Sequence, residues 1–247
     1  MYVAASSRCF ADQPFEKACQ TLTDLGYDHL ELWVDSEGGH LTLERLAGSP
    51  EEFVAAYRDA TRMTPVTLTL AKAPTAESFE KLTKTAKLLR VGTVVVPAGE
   101  QGTPFNEEID RLRELTRLAG VDGVRLAVRT QAGRMADDPQ SAAELCRHVP
   151  GLGLSLDAGE LVAAGTPPDA WDPMYEKTFH VQLRDTNKGE SQVPLGLGDV
   201  DYARIASQLE KVDYRQALSV ELLPGGIEGD DRLLEMRKTR RLLDTLL

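Results

Sequence analysis

The chain has 247 residues and carries 28 Lys and Arg against 39 Asp and Glu, which gives a formal net charge of −11 at pH 7. Proteins that bind nucleic acids or anionic membrane surfaces attract them with clustered Lys and Arg, so this composition argues against both kinds of partner. The hydrophobic fraction of 42% and the charged fraction of 27% are typical of a chain that buries a core and exclude a disordered one.

The cysteines and the N-terminal residues indicate a cellular compartment. Cys9, Cys19 and Cys146 are widely spaced and form no CxxC pair, which predicts reduced thiols and neither a disulfide framework nor a zinc knuckle. Residues 1–10 lack a basic region followed by an apolar stretch, and no run approaches the roughly 18 to 20 apolar residues that span a bilayer. We therefore expect a cytoplasmic protein.

Eight short apolar runs rich in β-branched residues recur along the chain, and amphipathic segments lie between them. The runs predict strands at 2–6, 29–34, 66–71, 92–97, 124–129, 152–157, 179–184 and 217–222. The other segments predict helices at 14–25, 50–62, 75–89, 106–119, 139–148, 158–171, 201–211 and 230–246, of which 158–171 has the weakest pattern. Such alternation is typical of parallel strands joined by crossover helices.

The strand–helix unit repeats about every 30 residues from end to end, and no Gly/Ser linker or charge block divides the chain. We predict one domain over 1–247, in which eight units close into a single (β/α)8 TIM barrel and leave no exposed strand edge. The alternative is a doubly wound sheet. That fold often carries a glycine-rich dinucleotide turn after its first strand, whereas residues 7–13 contain no glycine. We therefore expect no nucleotide cofactor.

Chemistry in a (β/α)8 barrel takes place at the carboxyl ends of the strands. The polar residues on or directly after the predicted strands are Glu31, Lys72, Arg129, Asp157, His180, Gln182, Arg184 and Glu221. Because side chains alternate faces along a strand, those of strands 5 to 8 point toward the barrel axis and the large aliphatic residues toward the helices. Such a cluster is costly to desolvate unless its members pair or bind a charged ligand. It is therefore the candidate site, and a purely structural ion-pair network is the alternative.

Five segments resemble the xylose isomerase-like barrel family of sugar phosphate isomerases and epimerases, which also includes the endonuclease IV group. LGLSLDAGE and FHVQLRD are similar to the family's strand 6 "LDxxH" and strand 7 "HVHLKD" segments. PLGLGDVDYARI resembles the "GxGxID" loop that follows, ALSVEL the strand 8 segment that ends in glutamate, and GYDHLELW the strand 2 segment "GYDGVELW". The resemblance spans nearly the whole chain and implies the same barrel fold.

The resemblance also implies a site. In the family, a Glu, an Asp, a His and a Glu on strands 5 to 8 hold one divalent cation, and the two glutamates move a proton between adjacent sugar carbons. Asp157 and Glu221 match two of these positions. Arg129 stands where the strand 5 Glu is expected, and Gln182 stands where the metal-binding His is expected.

Two further positions belong to the same motifs. Glu160 stands where the strand 6 segment of the family has its histidine, whereas His180 matches the first histidine of "HVH".

Replacing a Glu by Arg129 changes the charge of the site by two units. At about 4 Å and an effective dielectric constant near 20, two unit charges interact by roughly 4 kcal/mol, and a divalent ion feels about twice that repulsion. We therefore expect Mg²⁺, Mn²⁺ or Zn²⁺ to bind weakly or not at all. If a metal is retained, Asp157, Gln182 and Glu221 are its expected ligands. Otherwise Arg129 takes the place of the cation between Asp157 and Glu221.

The first functional hypothesis is an isomerase or epimerase that acts on a small sugar, keto-sugar or sugar phosphate. Glu221 is the expected base that removes a proton next to a carbonyl, and Arg129 or a weakly held metal stabilises the enediolate. The predicted catalytic residues are Glu221, Arg129, Asp157 and His180. The predicted substrate-binding residues are Glu31, Lys72, Gln182, Arg184 and Glu160. A second base has to come from Glu160, Glu31 or His180.

The second hypothesis is a catalytically degenerate barrel that binds a small polyol or an anionic sugar through Arg129 and Arg184 without metal. Endonuclease action is disfavoured, because that group uses a histidine-rich zinc site and this acidic chain has four histidines in all. Under either hypothesis the expected partner is a small carbohydrate and not a nucleic acid or a membrane. A homo-oligomer is left open.

Overall fold

Eight parallel strands form a closed barrel in the order β1 to β8. The structure is a computed structural model and describes residues 1–35 and 39–247. The strands are β1 (Tyr2–Ser6), β2 (His29–Val34), β3 (Thr64–Leu70), β4 (Thr93–Pro97), β5 (Arg125–Arg129), β6 (Gly153–Asp157), β7 (Thr178–Leu183) and β8 (Ala217–Val220). Each predicted strand is present, and its ends lie within two residues of the predicted bounds. Pairing of β1 with β8 closes the sheet and removes its edges.

Helices surround the barrel in the described part of the chain. They are α1 (Phe15–Asp24), α2 (Leu43–Gly48), α3 (Pro50–Ala60), α4 (Ala76–Leu89), α5 (Phe105–Val121), α6 (Pro139–His148), α7 (Ala158–Ala163), α8 (Asp172–Tyr175), α9 (Tyr202–Lys211) and α10 (Gly229–Leu246). Among residues 1–35 and 39–247, no helix is both long and apolar enough to cross a membrane.

Two helical predictions differ from the structure. The short helix α2 is not predicted by the sequence pattern. The helix predicted at 158–171 is wrong, because the segment consists of α7 and a separate 3-10 turn at Pro168–Trp171, with α8 following directly. Gly165 adopts a φ of +73°, and consecutive prolines at 167 and 168 lack the N–H groups that a continuous helix needs.

The hydrophobic core lies between the outer face of the strands and the helices. Leu126 and Val128 on β5 and Leu154 and Leu156 on β6 are fully buried in it. Burial of each such side chain stabilises the fold by about 1.5–3 kcal/mol. The alternate residues on these strands point into the barrel, as the predicted alternation requires. The barrel interior is therefore free to hold polar side chains, and these form the candidate site.

Candidate functional site

The carboxyl ends of β5 to β8 bring four charged side chains together. Arg129 ends β5 and Asp157 ends β6, while Arg184 and Glu221 directly follow β7 and β8. The barrel order makes these strands neighbours, so residues far apart in sequence converge. All four side chains are at most 4% exposed. Charged groups this deeply buried require partners.

Arg129 bridges the two carboxylates. Its Nη2 donates to Oδ2 of Asp157 at 2.6 Å and to Oε2 of Glu221 at 3.0 Å, and its Nε donates to Oδ2 of Asp157 at 3.2 Å. The guanidinium thus lies between Asp157 and Glu221, as the sequence predicts for a cluster without metal.

Arg184 contacts the same two carboxylates and also a third one, that of Glu160. Its Nη1 donates to Oδ1 of Asp157 at 2.9 Å and lies 3.4 Å from Oε2 of Glu221. Its Nη2 donates to Oε1 of Glu160 at 2.8 Å, and its Nε donates to the carbonyl oxygen of Ser191 at 2.8 Å. A Cβ atom added to Gly159 would lie 2.9 Å from Cγ of Arg184. The absence of a side chain at Gly159, in α7, therefore leaves the space that Arg184 occupies.

Arg8 is a member of the site that the sequence analysis missed. Its Nη1 donates to Oε1 of Glu221 at 2.8 Å, and its side chain is 24% exposed. Its Cζ lies 4.0 Å from the ring centroid of the buried Trp33, whose indole N–H donates to Asp35. Like the other charged members, Arg8 closely follows the carboxyl end of a strand, β1. That position is the signal that could have identified it.

We call these six residues, Arg8, Arg129, Arg184, Asp157, Glu160 and Glu221, the arginine–carboxylate cluster. Three guanidinium groups face three carboxyl groups in it. Burial raises the pKa of Asp157, but the charges of Arg184 and Arg129 outweigh burial and hold that pKa below its ordinary value. Burial lowers the pKa of Arg129, but the charges of Glu221 and Asp157 outweigh this and raise it. Asp157 and Arg129 are therefore both charged at neutral pH.

A second polar layer lies deeper in the barrel, because His180 and Gln182 precede Arg184 on the same face of β7. Oε1 of Glu31 accepts hydrogen bonds from Nε2 of Gln182 and from Oγ1 of Thr69, both at 2.6 Å. Nε2 of His180 lies 3.2 Å from Oε2 of Glu31. Burial raises the pKa of Glu31, but the charge of His180 and the bond from Thr69 outweigh burial and lower it. This layer is a separate buried network.

The model of a protein family described as "Xylose isomerase-like TIM barrel" matches residues 19–245. The chain belongs to this family. A search of curated proteins gives no match.

Solved structures share the fold of this xylose isomerase-like barrel. A xylose isomerase-like TIM barrel protein from Mycobacterium smegmatis, in complex with magnesium, has a TM-score of 0.79 and 16% identity, over 99% of this chain and 96% of that one. The 3-keto-D-glucoside 4-epimerase from E. coli has a TM-score of 0.77 and 15% identity, over 99% of each chain. A probable 3-DHS dehydratase from Bacillus anthracis has a TM-score of 0.74 and 18% identity, over 97% of this chain and 98% of that one. At these identities the likeness establishes the fold.

The divalent cation of the family does not fit the residues of this xylose isomerase-like barrel. Each carboxylate oxygen of Asp157 and Glu221 already accepts an N–H group, and the Arg129 guanidinium lies between the two carboxylates. Gln182 donates to Glu31 in the deeper layer, so the predicted ligand set of Asp157, Gln182 and Glu221 is not assembled. Within residues 1–35 and 39–247, no group of three His, Cys, Asp or Glu side chains is arranged to hold a metal.

Two predicted substrate-binding residues occupy different surroundings in this barrel. Lys72 is exposed, and it forms no ion pair or hydrogen bond with the described residues. Because β3 ends at Leu70, Lys72 lies in the loop before α4, outside the buried charged residues, and its part in substrate binding stays a prediction. Glu160 does join the cluster, where Oε2 accepts the N–H of Ala132 at 2.9 Å while Oε1 binds Arg184.

The glycine-rich loop of the "GxGxID"-like segment binds a carboxylate of its own chain. The N–H groups of Gly196 and Gly198 donate to Oδ2 of Asp185 at 2.7 and 3.2 Å, and the N–H of Thr186 donates to Oδ1 at 3.2 Å. These donors are therefore used to hold the loop at the end of β7.

Proposed function

We propose that this barrel is a sugar isomerase or epimerase that binds a small carbohydrate at the carboxyl ends of its strands and works without a divalent cation. The observation that carries the proposal is the Arg129 guanidinium, which bridges Asp157 at 2.6 Å and Glu221 at 3.0 Å. A buried guanidinium supplies a fixed positive charge and directed N–H donors, which are the properties that stabilise a developing enediolate oxygen.

Glu221 is the proposed base. Abstraction of a proton next to a carbonyl requires a carboxylate oxygen within hydrogen-bond reach of that proton. Oε2 of Glu221 is contacted by both Arg129 and Arg184, whereas Oε1 accepts a bond from Arg8 alone in the described part of the chain. Oε1 is therefore the oxygen from which a donor is most easily withdrawn, and we assign proton abstraction to it.

The residues present favour isomerisation by one base. Epimerisation inverts a carbon, so it needs an acid on the face opposite the base, whereas aldose–ketose isomerisation can return the proton on the same face. Of the three candidates for a second base, Glu31 and His180 pair with each other in the deeper layer. Glu160 lies in the cluster but is bound to Arg184. Glu221 is thus left as the base for a proton transfer on one face.

Deuterium exchange tests this proposal. EDTA-treated protein is incubated in D₂O with a panel of aldoses, ketoses and their phosphates, and NMR measures deuterium at the carbon next to the carbonyl. We expect incorporation by the wild type, none by Glu221→Gln, and wild-type rates for Glu144→Gln, a control on the outer helix α6. Absence of exchange across the panel, with or without added Mn²⁺, Mg²⁺ or Co²⁺, contradicts catalysis.

The hydrogen bonding of the buried carboxylates favours a second candidate, a barrel that binds an anionic sugar without converting it. Asp157 and Glu221 are fully buried, and all four of their oxygens accept hydrogen bonds. This candidate predicts that a sugar phosphate or sugar acid raises the melting temperature while no deuterium enters the ligand. It also predicts that Glu221→Gln, if folded, binds that ligand no more weakly than the wild type does.

A further inference from the structure

We propose that Arg8 recognises an anionic substituent of the ligand, a phosphate or a carboxylate, and that this contact withdraws Arg8 from Glu221. The inference rests on the proposed carbohydrate site and assigns it an acidic class of substrate. Arg8 thereby takes the place of Arg129 and Arg184 as the group expected to hold the anion.

The three arginines differ in the donors that they have left for a ligand. All three nitrogens of the Arg184 guanidinium donate to Ser191, Glu160 and the buried carboxylates. Arg129 uses Nε and Nη2 on Asp157 and Glu221. Arg8 uses Nη1, and no acceptor among residues 1–35 and 39–247 lies within hydrogen-bond distance of its Nε or Nη2. The Nε–Nη2 edge of a guanidinium binds two oxygens of a carboxylate or phosphate at once.

Arg8 is also the arginine of the cluster that solvent reaches. Its side chain is 24% exposed, against 4% for Arg129 and 0% for Arg184. Its guanidinium lies 4.0 Å from the Trp33 ring, and the ring is held by hydrogen bonds from Trp33 Nε1 to Asp35 and from the Trp33 backbone N–H to Ser7. The ring covers one face of the guanidinium, and its N–H edge stays open for a ligand.

The same contact connects recognition with the proposed base. In the described chain, Arg8 is the donor to Oε1 of Glu221, and a ligand anion on the Nε–Nη2 edge shares its guanidinium with Glu221, so an anion that draws the guanidinium toward itself weakens the bond from Nη1. A bound anion also adds a fourth negative charge to a cluster of three guanidinium and three carboxyl groups, which favours proton uptake by the cluster. An acidic sugar therefore both occupies Arg8 and leaves Oε1 ready to accept a proton.

Matched sugars and matched variants test the inference. Calorimetry compares D-ribulose 5-phosphate with D-ribulose, and D-glucuronate with D-glucose, on the wild type, Arg8→Gln, Arg8→Lys and Arg134→Gln. Arg134 is the control because its side chain is 26% exposed and pairs with Glu100 at 3.5 Å, in the loops that follow β4 and β5. The first pair of sugars detects recognition of phosphate, and the second detects recognition of carboxylate.

We expect the wild type and Arg134→Gln to bind one charged sugar about tenfold or more tightly than its neutral partner. Arg8→Gln loses this preference, and Arg8→Lys keeps part of it because the charge remains without the fork. A further measurement needs no variant. We expect inorganic phosphate to accelerate deuterium exchange into D-ribulose by the wild type.

Three results overturn the inference. They are equal binding of charged and neutral sugars by the wild type, an unchanged preference in Arg8→Gln, and no acceleration of exchange by phosphate in a protein that exchanges D-ribulose. Each of these leaves the proposed function standing, because carbohydrate is still bound. If the wild type binds no sugar of the panel and exchanges none, the proposed function and the inference both fail.

Discussion

Nη2 of Arg129 lies 3.0 Å from Oε2 of Glu221, so a buried guanidinium contacts the carboxylate that is the proposed base. The motifs that the chain shares with its family imply a divalent cation beside that glutamate. In this chain the positive charge is instead covalently attached to β5, and it can be neither exchanged nor removed by a chelator.

Loss of the Arg129 charge is expected to destabilise the fold. Arg129→Gln leaves Asp157 and Glu221 buried with one partner fewer, and breaking a buried ion pair on one side costs about 3–5 kcal/mol. Urea denaturation measures the free energy of unfolding. Arg117→Gln, which removes an exposed pair with Glu114, is the control and is expected to leave stability close to the wild-type value. Equal effects of the two substitutions contradict the role of Arg129.

The free energy of unfolding is expected to decrease as the pH falls below about 4. The pKa values of Asp157 and Glu31 are lowered in the folded protein, so the unfolded chain takes up protons first as the pH falls. The stability that these two carboxylates contribute is present above their unfolded pKa values and is lost as the pH falls through the folded ones. Denaturation curves between pH 7 and pH 2.5 check this. A folded Asp157→Asn variant should show a shallower dependence on pH, and a wild type that gains stability in acid is inconsistent with the lowered values.

Divalent metal is expected to leave the wild type unchanged. Melting temperatures in EDTA and in millimolar Mn²⁺ should coincide, because Arg129 lies between the two carboxylates that a cation needs. Arg129→Glu restores a carboxylate at the family position and is expected to melt higher in Mn²⁺ than in EDTA. A rise of several degrees for the wild type in Mn²⁺ would show that the cluster opens to admit a metal.

A side chain at residue 159 is expected to destabilise the fold. Its added Cβ would lie 2.9 Å from Cγ and from Cζ of Arg184, which is fully buried, so Gly159→Ala should cost about 1–3 kcal/mol. Gly120→Ala in α5 is the matched control, since nothing lies within 4 Å of the corresponding Cβ. That substitution should be neutral or stabilising by up to about 1 kcal/mol. Thermal unfolding of both variants decides whether the Arg184 packing is as tight as described.

The three thiols are expected to be unreactive in the folded protein. Burial raises the pKa values of Cys9, Cys19 and Cys146 to about 12 each, so thiolate is scarce at pH 8. Sγ of Cys9 also donates to the carbonyl oxygen of Val220 at 3.4 Å, a hydrogen bond that requires the protonated thiol. A chromogenic disulfide reagent should label no cysteine in buffer and all three in urea. Rapid labelling of a cysteine in the native protein would mean that the structure around that cysteine opens.

The strands can be predicted from the sequence because the alternation of apolar and polar residues is a local property of the chain. Residues such as Leu126 and Leu154 were predicted to face the helices, and Arg129 and Asp157 to face the axis, and the closed barrel places them accordingly. The segment 158–171 departs from the predicted helix because its apolar pattern is weak and because Gly165 and the two prolines that follow it interrupt a helical backbone.

The amino-acid sequence alone predicts the eight strands and the face on which each polar residue lies, since alternation along a strand depends on neighbouring residues. How deep a side chain lies in the barrel, and which residues it contacts, depend on the register of the strands and on the closure of the barrel, which no local pattern specifies. Gln182 pairs with Asp157 in the β6–β7 register, yet its side chain bonds to Glu31 in the layer below. Arg8 meets Glu221 across 213 residues because β1 pairs with β8, so only the closed tertiary structure could bring Arg8 into the site.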